Sequence, residues 1–182
     1  MKKNILFALG LSTSLFAATC NYTVDSSSLQ WTAFKTPAKV GVKGTFDNVK
    51  LDFKISDSKE ALLKSSSINI VTANVNSNNQ GRDAKLVNSF FMVQGIRTIK
   101  AKVIKVDKTS ADIEIAMNNI KKIITMNLIT TKNTIKLQGE IDLADFKMLP
   151  SLNAITKACY ELHQGKTWQD VALEFNITTS CK

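Results

Sequence analysis

The sequence predicts an all-β protein, an antiparallel barrel or sandwich with one or two short helical insertions. Three observations predict it. Apolar and polar residues alternate through most of the chain beyond its N-terminal stretch, the mark of strands with one buried face. About nine such runs recur at regular spacing, as in antiparallel barrels and sandwiches. No strand–helix–strand alternation is present, which argues against a parallel sheet.

The N-terminal stretch reads differently. Lys2 and Lys3 give a short positive start, and Ile5 to Phe16 is apolar, softened only by Gly10 and Ser12 to Ser14. Small residues Ala17 and Ala18 follow. This is the pattern of a secretory signal peptide, residues 1–17, ahead of one domain at 18–182. The apolar run is shorter than the roughly 20 residues that span a bilayer. Leu15 and Ala17 suit cleavage after Ala17, and cleavage after Ala18 is nearly as good. A lipoprotein with an acylated Cys20 is the competing reading, and Thr19 is the wrong residue directly before that cysteine. The expected compartment is the periplasm.

The formal charge is +9, or +7 without Lys2 and Lys3. A basic excess can attract nucleic acid or anionic membranes. Here Lys35, Lys39, Lys43, Lys50, Lys54, Lys100, Lys102 and Lys105 are spread along the chain, and several alternate with apolar residues. They read as the solvated face of a sheet, so no nucleic-acid partner is expected.

The strands follow in order. Leu29, Trp31 and Ala33 share one face of the first. Val40, Val42, Gly44 and Phe46 share a face of the second, and Val49, Leu51, Phe53 and Ile55 a face of the third. Asp47-Asn48 reads as a tight turn between these two. Ile68 and Ile70 belong to a fourth run, Ser67 to Ala73. Ile99, Ala101 and Val103 make a fifth stripe, broken at its end by Lys105. Asp107-Lys108-Thr109 is turn chemistry, after which Ala111, Ile113, Ile115 and Met117 continue. Ile124, Met126 and Leu128 form the next stripe, then Ile135, Leu137, Gly139 and Ile141 after a turn at Lys132-Asn133. Val171, Leu173, Phe175 and Ile177 mark the last strand.

Two segments break the period. Asp83 to Met92 carries Leu86, Val87, Phe90 and Phe91 as a short helical stripe. Pro150 to Gln164 places Leu152, Ile155, Cys159 and Leu162 at helical spacing. Pro150 suits a first turn, and Gly165 suits the position after a helix.

Catalytic patterns are absent from the sequence. The single histidine, His163, falls at a helix end, where it favours the helix dipole or water. No G-x-S-x-G, H-E-x-x-H or phosphate-loop pattern occurs. One histidine and three scattered cysteines do not make a metal site. The expectation is a binding protein with no enzymatic activity and no cofactor. The large residues Trp31, Phe34, Phe46, Phe53, Phe90, Phe91, Phe146 and Phe175 serve equally as ordinary core or as the wall of a cavity, because a barrel of about eight strands either fills its interior or holds one small ligand. Small strand residues such as Gly44 and Gly139 mark a bend or close approach, or leave room for a chain.

A series of short motifs bears on that choice. Tyr22-Thr23-Val24-Asp25 is followed by Trp31. Val42-x-Gly44-x-Phe46 comes next, then Asn79-Gln80-Gly81-Arg82-Asp83-Ala84-Lys85-Leu86 with Phe90-Phe91 beyond it. Ile141-Asp142-Leu143-Ala144-Asp145-Phe146 and Lys166-Thr167-Trp168-Gln169-Asp170-Val171 complete the set. In this order they resemble the YceI-like family from Tyr22 to about Ile177. The sequence departs from it at Ser27-Ser28, where the family often has His-Ser, and around Ile120 to Leu128. The resemblance implies an antiparallel eight-stranded lipocalin-like barrel with one or two short helical insertions. It also implies an apolar or amphiphilic ligand of the polyisoprenoid, quinone-like or fatty-acid type, often in a homodimer. Transient membrane contact would accompany such a ligand. A secreted structural or stress-related barrel with a filled core and no ligand is the alternative, and an enzyme acting on a lipid is a third.

Candidate wall residues under the first reading are Trp31, Val42, Phe46, Leu51, Phe53, Ile113, Met126, Leu128, Leu137 and Phe175, with Phe90 and Phe91 beside them. Met126 would add shape tolerance. Arg82 either pairs with Asp83 or faces a polar head group. If the first and last strands of the barrel pair antiparallel, Cys20 and Cys181 meet at one end, and they are the expected disulfide. Cys159 would then sit at the other end as a buried helix residue.

Overall fold

A computed structural model describes residues 20–182. The signal-peptide reading of residues 1–17 therefore lies outside the described residues. The strands are β1 (Tyr22–Lys35), β2 (Val40–Phe46), β3 (Lys50–Asp52), β4 (Ser67–Val71), β5 (Val75–Asn76), β6 (Thr98–Val106), β7 (Ser110–Met117), β8 (Ile120–Thr130), β9 (Thr134–Asp142) and β10 (Thr167–Cys181). The helices are α1 (Lys59–Lys64), α2 (Gln80–Leu86), α3 (Leu149–Ala158) and α4 (Tyr160–His163). All ten strands form one sheet in the order β3-β4-β6-β7-β8-β9-β10-β1-β2-β5. Every pairing is antiparallel. The sheet curls into a half-barrel with ten strands rather than the expected eight, because β3 and β5 are short fragments of three and two residues.

Alternation placed the faces correctly. Along β7 every second residue is buried, from Ala111 to Met117. In β9, Ile135, Leu137 and Ile141 are buried, and in β10 the half-buried Leu173 and Phe175 pack on the same core. A bulge between Val103 and Lys105 pushes Ile104 outward, which is the break the sequence showed at Lys105.

The second and third runs do not form a hairpin. β2 pairs antiparallel with β1, and the chain just beyond β3 returns to β1 through an antiparallel bridge, Tyr22 to Ser56. β2 and β3 therefore run the same way, as one long strand kinked at Asn48, whose φ of 58° is left-handed. Beyond the kink the apolar stripe lapses, so that Phe53 lies outside the strand and Ile55 is 66% exposed.

The two ends of the barrel are covered by helices. At the end where β1 begins, α1 lies beneath the sheet, with Leu62 and Leu63 fully buried. The sequence reading missed this helix. Its signals were present in Ser58, which accepts a hydrogen bond from the Ala61 N–H, and in the strong helix formers Glu60 to Lys64. Lys59 fixes it to the β8–β9 turn by donating to the carbonyls of Thr131 and Lys132 at 2.5 and 2.6 Å.

At the opposite end α2, the π-helical turn Val87–Phe91, and α3 pack over Phe146 and Met148, both fully buried. Pro150 stands in the first turn of α3, as expected. The predicted stripe holds at Leu152, Ile155 and Cys159, but Leu162 is 64% exposed. The helix breaks at Cys159, where φ is −122°, and α4 restarts in a different phase. Gln164 and Gly165 then close it in left-handed backbone, with the Gly165 N–H donating to the Tyr160 carbonyl at 2.9 Å.

Cys20 and Cys181 are disulfide-bonded with Cα atoms 5.4 Å apart, and Cys159 is free and buried. The bond follows from the β1–β10 pairing, which sets Tyr22 opposite Cys181, while Cys159 stands at the end of α3.

The outer face is polar and locally paired. Glu174 accepts from Asn176 Nδ2 at 3.0 Å, Lys136 Nζ at 2.9 Å and Gln138 Nε2 at 2.9 Å. The Asn176 bond, then Lys136, hold its carboxyl down at about 2. Because the folded value lies below the ordinary 4.5, the stabilisation is complete above that pH and is lost as the pH falls from 4.5 toward 2. Urea unfolding of the wild type and Glu174→Gln should differ by at most about 1 kcal/mol at neutral pH, since the pair faces solvent. The difference should vanish as the carboxylate is protonated.

Candidate functional site

The interior holds a cavity of about 110 Å³ with an almost wholly apolar wall. It extends from Leu63 and Ser66 at the α1 end to Met117 and Ile141 near the opposite end of the strands. Seven of the predicted wall residues line it: Trp31, Phe46, Leu51, Ile113, Met126, Leu137 and Phe175. The barrel brings them together because each stands on the inward face of its strand, where directly paired residues share a side.

The other predicted residues stand elsewhere. Val42 is half-buried opposite Ala33 on β1. Phe53 packs on the core without reaching the cavity. Leu128 lines a second recess with Lys59, Glu60, Asp107 and Lys108 on its rim. That recess is larger, about 500 Å³, but its charged rim suits water better than hydrocarbon. Phe90 and Phe91 form an edge-on pair with ring centroids 5.0 Å apart, and Phe91 meets Phe46 at 6.2 Å. They tie the covering helices to β2 and do not line the cavity.

Arg82 makes no ion pair among the described residues. Asp83 instead accepts from the Ser77 backbone N–H at 2.9 Å and from its hydroxyl at 2.5 Å, anchoring α2 to the end of β5. The expected Arg82–Asp83 pair is thus replaced by a carboxylate–loop bond, since neighbouring residues on a helix diverge in direction.

Further wall residues were not singled out from sequence. Ile68, Ile70, Ile99, Ile115 and Leu173 were legible as inward-facing, but nothing marked them against their neighbours. Leu63 was hidden because α1 was read as part of no element.

The inward glycines do not leave open space. A Cβ on Gly44 would lie 2.1 Å from Cζ2 of Trp31, so the indole rests on the glycine backbone. Trp31 Nε1 completes the arrangement by donating to the Thr45 carbonyl at 3.1 Å. A Cβ on Gly139 would come within 2.8 Å of Met126 Cγ. Both glycines are close-approach sites for a large side chain that itself lines the cavity. Gly44→Ala should therefore displace Trp31, costing about 1–3 kcal/mol. Chemical denaturation and the near-ultraviolet circular dichroism of the indole measure the two effects.

His163 shares a hydrogen bond with Thr167 Oγ1 at 2.8 Å and does not line the cavity. Burial, then Lys35 and Lys85, push its pKa below the ordinary value and favour the neutral ring.

The family model for the YceI-like domain matches residues 22–179. No curated protein sequence gives a significant match. Among solved structures, a polyisoprenoid-binding domain from Saccharophagus degradans superposes with a TM-score of 0.64 at 14% identity, covering 90% of this chain and 99% of that one. BcnA from Burkholderia cenocepacia gives 0.58 at 10% identity, with 87% and 99% covered. The YceI protein of Campylobacter jejuni gives 0.54 at 18% identity, with 100% and 99% covered. At these identities the likeness is one of fold.

Proposed function

The chain belongs to the YceI-like family, and from that premise we propose that it binds a long-chain amphiphile and holds the apolar tail inside the half-barrel. The observation that carries the reading is the cavity itself, walled by aliphatic and aromatic side chains along much of the barrel. Burying hydrocarbon gains about 0.8 kcal/mol per methylene, so ten methylenes would contribute about 8 kcal/mol before the cost of association. That suffices for micromolar binding without a charged contact. The name of the Saccharophagus relative, a polyisoprenoid-binding domain, points to the same ligand class.

Binding without turnover is part of the proposal. Among the described residues no histidine, cysteine or carboxylate lines the cavity, and of its polar wall residues Ser66 donates its hydroxyl to the Leu62 carbonyl while Lys102 pairs with Glu114 on the outer face. The Cys20–Cys181 bond supports an oxidising compartment, the periplasm, reached through the signal peptide. Long-chain amphiphiles reside in membranes, so transient membrane contact accompanies the role.

One observation favours the filled-barrel reading. The cavity of about 110 Å³ is smaller than the roughly 300–1,000 Å³ of ordinary ligand sites. A long tail therefore has to move wall side chains, and the flexible Met117 and Met126 are the ones able to yield. Organic extraction of the purified protein followed by mass spectrometry separates the readings. A stoichiometric amphiphile is expected. An empty extract, together with no binding of added fatty acid, would leave only the filled barrel.

A further inference from the structure

The helices cover both ends of the barrel, which leaves open the question of how a tail reaches the cavity. Among the described residues the longest break in the ladders lies beside β1; a shorter one parts β8 from β9 beyond Asn127–Gln138. β1 pairs with β2 only as far as Trp31–Gly44, and it meets the same chain again only at Tyr22–Ser56. Between these two closures, residues 23–30 of β1 face residues 45–55, eight positions against eleven. The longer side has to bow outward. Among the described residues no backbone hydrogen bond joins the two lips. At the strand rise the break runs about 26 Å along β1.

Its position relative to the cavity is direct. Leu29 stands on one lip and Phe46 and Leu51 on the other, and all three line the cavity. Ser27 pairs with Ile177, whose side chain is buried in the core, so Ser27 also faces inward. It is nevertheless exposed, as are Asp25, Ser26 and Ser28 around it. Among the described residues nothing covers the inner side of this stretch of β1. On the opposite lip Ile55 is exposed as well.

We propose that this lateral break, bounded by Trp31–Gly44 and Tyr22–Ser56, is the doorway through which a single-chain amphiphile enters sideways. The proposal rests on the binding reading above. A tail entering there meets Leu29, Phe46 and Leu51 first, without unseating α1 or α3. A lengthwise entrance would require one of the packed end helices to leave.

The test is kinetic, in a Cys159→Ser background so that one thiol is available for labelling. Cysteine is placed at Ser27, or at Lys50 on the opposite lip, and coupled to a maleimide-linked polyethylene glycol. Lys132→Cys at the α1 end and Asn153→Cys on α3 carry the same polymer as controls. Stopped-flow fluorescence follows the uptake of cis-parinaric acid, a straight-chain probe, and circular dichroism checks the fold of each conjugate. The polymer at Ser27→Cys or Lys50→Cys should slow uptake at least about tenfold, while the end conjugates stay within about twofold of the unlabelled protein. Slowing at an end position with normal rates at both lips overturns the doorway and leaves the binding reading standing. Absence of probe binding to the unlabelled protein overturns both.

Discussion

Ala101→Phe is expected to weaken binding of cis-parinaric acid by about a hundredfold while the sheet stays folded. Ala101 lies on the inward face of β6, between Ile68 of β4 and Ile115 of β7, and lines the cavity. A phenyl ring projected from this position enters a space of about 110 Å³ and takes up much of it. Displacing three or four buried methylenes removes about 3 kcal/mol, close to a hundredfold in affinity. The overpacking cost to the fold is about 1–3 kcal/mol, which leaves the native state populated. The outward-facing neighbour Ala116, paired with Lys100 and Lys121, supplies the control. Ala116→Phe should bind the probe like the wild type. Fluorescence titration gives the affinity and urea unfolding the stability. Equal loss of binding in both variants, or none in Ala101→Phe, would place the ligand outside this cavity.

Removal of the disulfide should produce the largest change in stability. Cys20 and Cys181 are separated by 161 residues and join the start of β1 to the end of β10. On the chain-entropy account a loop of this length is worth about 5 kcal/mol, through restriction of the unfolded chain. For a chain of this size the melting temperature should fall by about 10–20 °C in Cys20→Ser/Cys181→Ser. Reductant should lower the wild type by the same amount and leave the double variant unmoved. Cys159→Ala trims one buried thiol at the α3–α4 break and should cost only about 1 kcal/mol. Scanning calorimetry with and without reductant makes the comparison. A melting temperature insensitive to reductant would show that the β1–β10 ladder alone fixes the barrel seam.

These two results bear on different parts of the molecule. The wall variant addresses what the interior holds, and the disulfide variant addresses what keeps the first and last strands together. Because the cavity wall draws on both β1 and β10, the second also predicts weaker probe binding under reducing conditions.

The sequence by itself determined which residues face inward. Strand side chains alternate with a period of two, so Trp31, Ile113, Met126, Leu137 and Phe175 could be assigned to one face before any pairing was known. The cysteine pair followed from one topological premise, antiparallel closure of the first and last strands. Tertiary structure alone decided the rest, because it depends on register and on packing between distant segments. Alternation read Asp47-Asn48 as a tight turn, while the pairing of β2 with β1 and the bridge from Ser56, beyond β3, back to Tyr22 make it a kink. Gly44 and Gly139 offered room only until Trp31 and Met126 were brought against them from neighbouring strands. A period of 3.6 carried Leu162 into the core, whereas the break at Cys159 turned it to solvent. The lateral break exists only as a difference in chain length between two closures, and no local pattern encodes such a difference.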